Sequence, residues 1–357
     1  MPVPAPSVVR HLATLLLAVW VAGCAKPAPS LLSPGYDTAS AAKLHHVGNG
    51  FRNVGSFTPS DGAPFTPLIA DSYRNETGPA PEPLDRAAAL AGVRAAARQQ
   101  LAATWVGHST YLLRVGEAWV LTDPHFSAYA APAPGLGPRR LAAPGLSVED
   151  LPPIDVVLVS HNHYEHMDGP SLRAIAARFP DAVAVVPLKN GATLRRAGFR
   201  DVREVDWFDT VEAGGLRITG TPAVHSSRRL GSQTNRALWG GFSVSDGRRR
   251  IYFAGDTGFG SFIRDVRREL GRHDAAIVPI GAYRPQSLES ERHTTPEDAV
   301  RLAKVLGARV ILPMHWGTFA LAPEPFAEQR SRFLRAAGPP GRLLRPGETL
   351  AIAAGGS

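Results

Sequence analysis

A short stretch near the middle of the chain concentrates groups that bind metal ions. Ser160-His161-Asn162-His163-Tyr164-Glu165-His166-Met167-Asp168-Gly169 places three imidazoles and two carboxylates within eight residues, His161 to Asp168. Neutral imidazole and carboxylate are nitrogen and oxygen ligands that zinc accepts, and several of them on one loop can fold around one or two ions. Four more residues with the same chemistry lie far away in sequence but at similar places. His225 follows Thr221-Pro222-Ala223-Val224, Asp256 follows Phe253-Ala254-Gly255, His315 follows Leu312-Pro313-Met314, and His293 stands shortly before Pro296. Taken singly, a histidine at a strand end is an ordinary surface group; its recurrence beside a histidine-rich loop points to a shared centre.

The elements that must carry these groups are short. From Thr104 the chain alternates brief apolar runs with turn residues: 104–106, 110–115 and 118–122 read as an opening β-meander. Further runs at 156–160, 182–187, 216–222, 238–245, 251–254, 276–280 and 310–313 also read as strands. Helices are expected over 84–101, 170–178, 261–270 and 296–306, the last with Thr295 as cap and Pro296 in its first turn. Many strands with interspersed helices imply a layered α/β or α+β sandwich.

Composition sets outer limits. The chain has 357 residues, 44% hydrophobic and 20% charged, which suits a large buried core and excludes wholesale disorder. Its formal charge of +8 comes from scattered basic residues. The densest run, Arg248 to Arg250, follows Gly247 in an expected hairpin turn and has no interleaved aromatics, so nucleic acid is not an expected partner. An anionic lipid surface suits the charge better.

The N-terminus reads as a targeting segment. Arg10 precedes about eleven mostly apolar residues from Leu12 to Ala22, too short for the ~20 that span a bilayer. The run ends in Val21-Ala22-Gly23-Cys24, which resembles a bacterial lipobox, and Cys24 is the only cysteine. The expected organisation is a lipoprotein signal peptide over 1–23, a linker and extension over 24–83, and the main domain over 84–357. Lipidation at Cys24 would tether the protein to a membrane in the bacterial cell envelope. With Ala25 rather than Asp next, sorting to the outer membrane facing the periplasm is expected.

The ligand pattern resembles the metallo-β-lactamase superfamily, whose hallmark is H-x-H-x-D-H, then a distant His, a strand-end Asp in a G-D-T context, and a last His. Longer phrases are similar to the N-acylphosphatidylethanolamine-hydrolysing phospholipase D family: Thr104-Trp105-Val106-Gly107-His108-Ser109-Thr110, Leu121-Thr122-Asp123-Pro124, Ser160-His161-Asn162-His163-Tyr164, Phe253-Ala254-Gly255-Asp256-Thr257-Gly258, Pro279-Ile280-Gly281-Ala282-Tyr283 and the segment from His315 to Ala322. The resemblance implies a four-layer αββα sandwich. It implies His161, His163 and His225 around a first zinc, Glu165, His166 and His315 around a second, and Asp256 bridging both. Glu165 departs from the family's Asp. Either the second metal shifts, or Glu165 binds through a different oxygen, or that site is weaker and selects another divalent ion.

The function this resemblance implies is a zinc-dependent phosphodiesterase of phospholipase D type, acting on N-acylphosphatidylethanolamine-like phospholipids through a metal-bridged hydroxide. Glu165 and Asp256 would both lie near that hydroxide, and either could orient it. His293 would hydrogen-bond the phosphate or protonate the leaving oxygen, with Arg292 as a cation beside it. His108 and Asp123 are expected to orient ligands. The resemblance also admits a homodimer. A hydrolase of a soluble lactone or cyclic phosphodiester, and a surface lipoprotein that binds metal without turnover, are the alternatives, because this fold serves many chemistries.

Overall fold

Along the first long strand Leu101, Ala103 and Trp105 alternate with Ala102 and Val106, and all five are buried. Side chains alternate faces along a strand, so a strand apolar on both faces must sit in a sheet covered on both sides. The computed structural model, which describes residues 43–54, 73–289 and 291–353, meets that requirement with two facing sheets and outer helices.

In chain order the elements begin with β1 (His46–Val47), β2 (Gly50–Phe51), α1 (Arg86–Ala96), β3 (Leu101–Gly107), β4 (Thr110–Val115) and β5 (Ala118–Thr122). They continue with β6 (Val156–Leu158), α2 (Gly169–Arg178), β7 (Val183–Pro187), α3 (Gly191–Ala197), β8 (Asp201–Val205), β9 (Thr210–Ala213) and β10 (Leu216–Thr221). The remainder are β11 (Gly241–Ser245), β12 (Arg250–Phe253), α4 (Phe262–Leu270), β13 (Ala275–Pro279), α5 (Pro296–Leu306), β14 (Val310–Met314), α6 (Phe326–Ala337) and β15 (Thr349–Ala351), with a single helical turn at Gln286–Glu289.

A seven-stranded sheet runs β15-β3-β4-β5-β6-β7-β8, and a six-stranded sheet runs β14-β13-β12-β11-β10-β9. One apolar cluster fills the space between the sheets and continues under the second helix layer, joining Trp105, Tyr111 and Leu158 to Phe242, Ile251 and Phe253, and then to Val266, Leu302 and Phe333. A second cluster packs Ala89 and Val93 of α1, and Leu172 and Ile175 of α2, beneath Ala102, Val106, Leu112 and Val157. The layers are therefore helix, sheet, sheet, helix, as the resemblance implies. Parallel pairing joins β5 to β6, and β12 to β13 to β14. Loops leaving the carboxyl ends of adjacent parallel strands converge, which makes that rim the natural place for a site.

Several boundaries differ from the sequence reading. The helix expected over 84–101 stops at Ala96, because Leu101 pairs with Val115 and its carbonyl accepts the Ile352 N–H; strand pairing across the sheet overrides local helix preference. The strand expected from Leu238 begins only at Gly241, since the Leu238 N–H is spent on Leu188 and the Gly240 N–H on Ser160. Strands β8, β9 and β15 and helices α3 and α6 are additional to the expected set. Thr295 does cap α5, accepting the Asp298 N–H, and Gly247 does turn the β11–β12 hairpin at φ 90°. Within the stretch read as linker, residues 46–51 form the β1–β2 hairpin, held by burial of Phe51 against Trp207 and Trp239. Residues 1–24, which carry the expected signal segment and Cys24, lie outside the described residues. Among the described residues no helix is long and apolar enough to cross a membrane.

Gly255, between β12 and Asp256, shows how tightly the rim is built. Its φ is 60°, and a Cβ there would stand 2.7 Å from both the Gly240 carbonyl oxygen and Ser160 Cβ. Gly255→Ala is expected to combine left-handed strain with overpacking, costing about 2–4 kcal/mol. Thermal unfolding should show Tm lowered by roughly 5–15 °C; an unchanged Tm would contradict the packing described here.

Candidate metal centre

The β6 strand ends at Leu158, and the chain turns through Ser160 into the histidine-rich loop. Asp168 closes that loop by capping α2: its carboxylate accepts the Ser171 N–H and the Ser127 hydroxyl, so it serves the helix rather than the centre. Arg229 fastens the loop from the other side. Its Nη1 donates to the carbonyls of Asn162 and Met167, each at 2.9 Å, and its guanidinium lies 4.1 Å over the Tyr164 ring.

Two donor sets result. In the first, His161 Nε2 stands 3.0 Å from His163 Nδ1, and His225 Nε2 stands 3.3 Å from the same atom. Ligands tetrahedrally arranged about one zinc at ~2.0–2.1 Å are roughly 3.3 Å apart, so these separations suit three nitrogens aimed at one ion. The second nitrogens are fixed elsewhere. His161 Nδ1 meets Ser160 Oγ at 2.9 Å, and His225 Nδ1 donates to the Arg292 carbonyl at 3.0 Å. Such partners leave the remaining nitrogen free as a ligand.

The second set gathers Glu165, His166, Asp256 and His315, whose donor atoms lie within 4.8 Å of one another. His166 Nε2 and His315 Nε2 approach Asp256 Oδ2 at 3.0 and 2.9 Å, yet neither contact has hydrogen-bond geometry, and both Asp256 oxygens are buried without a hydrogen-bond partner. Buried polar atoms without partners are costly. Converging on one another without bonding, these fit an ion between them. Asp256 Oδ2 also lies 4.0 Å from His161 Nε2 and 3.8 Å from His225 Nε2, which puts it between the two sets. Glu165 Oε1 is 4.0 Å from His163 Nδ1, so the longer side chain still reaches the junction.

His293 groups with His225 and Asp256: its Nδ1 is 3.8 Å from Asp256 Oδ2 and has no hydrogen-bond partner. Asp123 fixes the His166 ring, accepting His166 Nδ1–H at 2.6 Å, and accepts both the N–H and the hydroxyl of Ser160 at 2.7 Å. His108 meets the centre through its backbone. Its ring nitrogens bond to nothing, and its carbonyl instead accepts the His315 N–H at 3.2 Å. Sequence reasoning missed Ser160, Arg229 and Asn53, whose amide bonds the His225 peptide; none has a chemical type or spacing that marks it.

A family model described as a beta-lactamase superfamily domain matches residues 118–316. The chain belongs to the metallo-β-lactamase superfamily. A Caenorhabditis elegans protein named N-acyl-phosphatidylethanolamine-hydrolyzing phospholipase D 1 is 32% identical over 323 residues, covering 85% of this chain and 91% of that protein. An uncharacterised Mycobacterium tuberculosis protein is 38% identical over 245 residues. That match covers 67% of this chain, which spans 65% of the mycobacterial relative's length. Among solved structures, an isothiocyanate hydrolase from Delia radicum gut bacteria has a TM-score of 0.55 at 22% identity, covering 71% of this superfamily member and 99% of that chain. That likeness is one of fold.

The two donor sets differ in protonation. Burial, reinforced by the charge of His166, lowers His163 to about 3. Burial likewise holds His161 and His225 well below the usual imidazole range. His166 goes the other way: burial opposes its charge, but Asp256 and Asp123 outweigh burial and raise it well above the usual value. Burial would raise Asp256, yet His166 and His315 hold it well below the carboxylate range. At neutral pH the metal-free first set is thus already deprotonated, while His166 must lose a proton before Nε2 can ligate. Below the raised His166 pKa the proton competes with metal. Zinc affinity of the second set should therefore fall by up to ~10-fold per pH unit from pH 8 to 6, while that of the first set stays nearly flat. Competitive chelator titrations across this range measure both, and equal slopes would overturn the assignment.

Proposed function

We propose that the chain is a zinc-dependent phosphodiesterase of phospholipase D type, acting on N-acylphosphatidylethanolamine-like phospholipids. The observation that carries this reading is the placement of Asp256 Oδ2 between two donor sets, in a chain similar over 85% of its length to the nematode phospholipase. His161, His163 and His225 would hold one ion, Glu165, His166 and His315 the other, and Asp256 both. Such a pair supplies Lewis acidity and a water acidic enough to attack phosphorus near neutral pH.

The chain's own groups set the rest. Glu165 and Asp256 present carboxylate oxygens beside both sets and accept hydrogen bonds from a nucleophilic water. Burial holds His293 well below the usual imidazole range, so at neutral pH it has one N–H to donate to a phosphoryl oxygen rather than a spare proton for the leaving group. Arg292 offers a guanidinium to the same anion: its Nε is buried without a hydrogen bond, 4.0 Å from Glu289 Oε2, and its charge contributes to lowering both His163 and His293.

The test is the zinc-loaded protein assayed on N-acylphosphatidylethanolamine micelles in ¹⁸O-water, with a cyclic phosphodiester and a lactone in parallel. The expected products are N-acylethanolamine and phosphatidate carrying the label, because attack falls on phosphorus. His163→Ala should lose more than ~100-fold, since even partners behind a ligand are worth 10–100-fold. Turnover of the lactone alone, or full activity in His163→Ala, would sink the reading.

The proposal extends to location. Val21-Ala22-Gly23-Cys24 supports a lipid anchor that would hold the catalytic domain against its substrate in the cell envelope. Cys24→Ser is expected to move the protein from the membrane to the soluble fraction with loss of acyl mass; unchanged fractionation would refute the anchor. A homodimer, if formed, would show as doubled mass in light scattering.

A further inference from the structure

The hairpin of residues 43–54 is tied down at both ends, and one end reaches the metal centre. At its start, the fully buried Asp206 side chain accepts four donors: His45 Nε2 at 2.5 Å, His46 Nε2 at 2.7 Å, Lys43 Nζ at 2.7 Å and the Trp207 N–H at 2.8 Å. The His45 ring stacks on Trp207 with centroids 4.1 Å apart. In the middle, the Phe51 N–H donates to the Asn235 carbonyl and Lys189 Nζ donates to the Asn49 carbonyl. At the far end Asn53 is buried, its Nδ2 donating to the His225 carbonyl at 3.0 Å and its Oδ1 accepting the His225 N–H at 3.1 Å.

This second contact has a specific consequence. Strand β10 ends at Thr221, so the peptide groups of His225 have no strand partner. A buried N–H and C=O must both be satisfied, and the Asn53 amide does this with one side chain, as a neighbouring strand would. His225 is thereby fixed twice: by Asn53 at its backbone and by the Arg292 carbonyl at Nδ1. Its Nε2 is left pointing at His163.

The His45–His46–Asp206 group could itself be taken for a third metal site, since its donor atoms are within 4.8 Å. The distances argue otherwise. Separations of 2.5 and 2.7 Å are those of hydrogen bonds, shorter than the roughly 3.3 Å between ligands of one tetrahedral ion, and the Lys43 ammonium already neutralises Oδ2. The group is a clasp.

We propose that Asn53 is a positioning residue for His225, delivered by a hairpin clasped on Asp206, so that the first donor set depends on chain lying outside the matched superfamily domain of residues 118–316. The inference rests on the reading that His161, His163 and His225 hold a metal ion. Zinc titration of the full chain against a competing chelator tests it, with His163→Ala as the reference that shows which binding step belongs to the first set. Asn53→Ala should weaken that step ~10–100-fold, the range for groups that orient ligands, and leave the other step within about threefold. Asn53→Asp, which keeps the acceptor for the His225 N–H and loses the donor, should fall between, and His45→Ala should weaken the same step less. If Asn53→Ala does not fold, the Asp variant and His45→Ala decide. Unchanged first-step affinity in these variants, or equal weakening of both steps together with a general fall in Tm, overturns the proposal. A first step that survives in His163→Ala overturns the ligand reading instead.

Discussion

Asp123 is the group on which both donor sets depend. It follows β5, at φ 34°, and its buried carboxylate receives three donors: the Ser160 N–H, the Ser160 hydroxyl and His166 Nδ1–H. Through Ser160 Oγ it reaches His161 Nδ1 in the first set, and through His166 it reaches the second. Burial raises Asp123, and the charge on His166 and these hydrogen bonds counter that rise. A single carboxylate thus sets ring orientation on both sides, and two ions held there would share one electrostatic support. Parallel pairing of β5 with β6 is what brings Asp123 beside Ser160, with Thr122 opposite Leu158.

The donors come from both sheets. His161, His163 and His166 leave β6 of the seven-stranded sheet, while His225, Asp256 and His315 follow β10, β12 and β14 of the six-stranded one. Each set therefore joins the two sheets, and their spacing fixes the geometry between the sets. That spacing is held by the dense cluster from Trp105 and Tyr111 to Phe242 and Phe253. Close-packed interiors transmit even small volume changes, so substitutions in this core reach the donors without touching them.

The donors were legible in the sequence because their chemistry is distinctive and because a histidine loop directly after an apolar run has few other uses. The central strands were legible for a related reason: buried on both faces, they read as short apolar runs. Strand β8 was harder, since Asp201, Arg203 and Glu204 make it look like a polar loop, and only its place at the sheet's edge, with partly exposed side chains, explains that composition. Helix α6 does carry a readable pattern, burying Phe326, Gln329, Phe333 and Ala337, but Gln329 and the intervening arginines blur the apolar stripe. The ends at 96–101 were decided by pairing with β4 and β15, which no local propensity contains. Asn53 had no local signal at all. It lies 172 residues from its partner, in a Gly- and Pro-rich stretch, and becomes meaningful only when the fold brings His225 to it.

Backbone strain at the rim follows the same logic. His108, Asp123 and His315 all lie at positive φ, 52°, 34° and 60°, where side chains with a Cβ are disfavoured by about 1–3 kcal/mol each. Strain of that size persists only where surrounding bonds over-determine the conformation. Here they do: the His108 N–H donates to Thr318 Oγ1, its carbonyl accepts Trp105 Nε1 and the His315 N–H, and Asp123 is held by its own N–H to the Leu158 carbonyl. The turn at His108 is thus bonded directly to the turn at His315. Relaxing either one would break a buried hydrogen bond in the other. A glycine at His315 would relieve the strain but remove the imidazole, so the sequence keeps that imidazole in a strained turn and secures the turn through His108, whose ring makes no hydrogen bond.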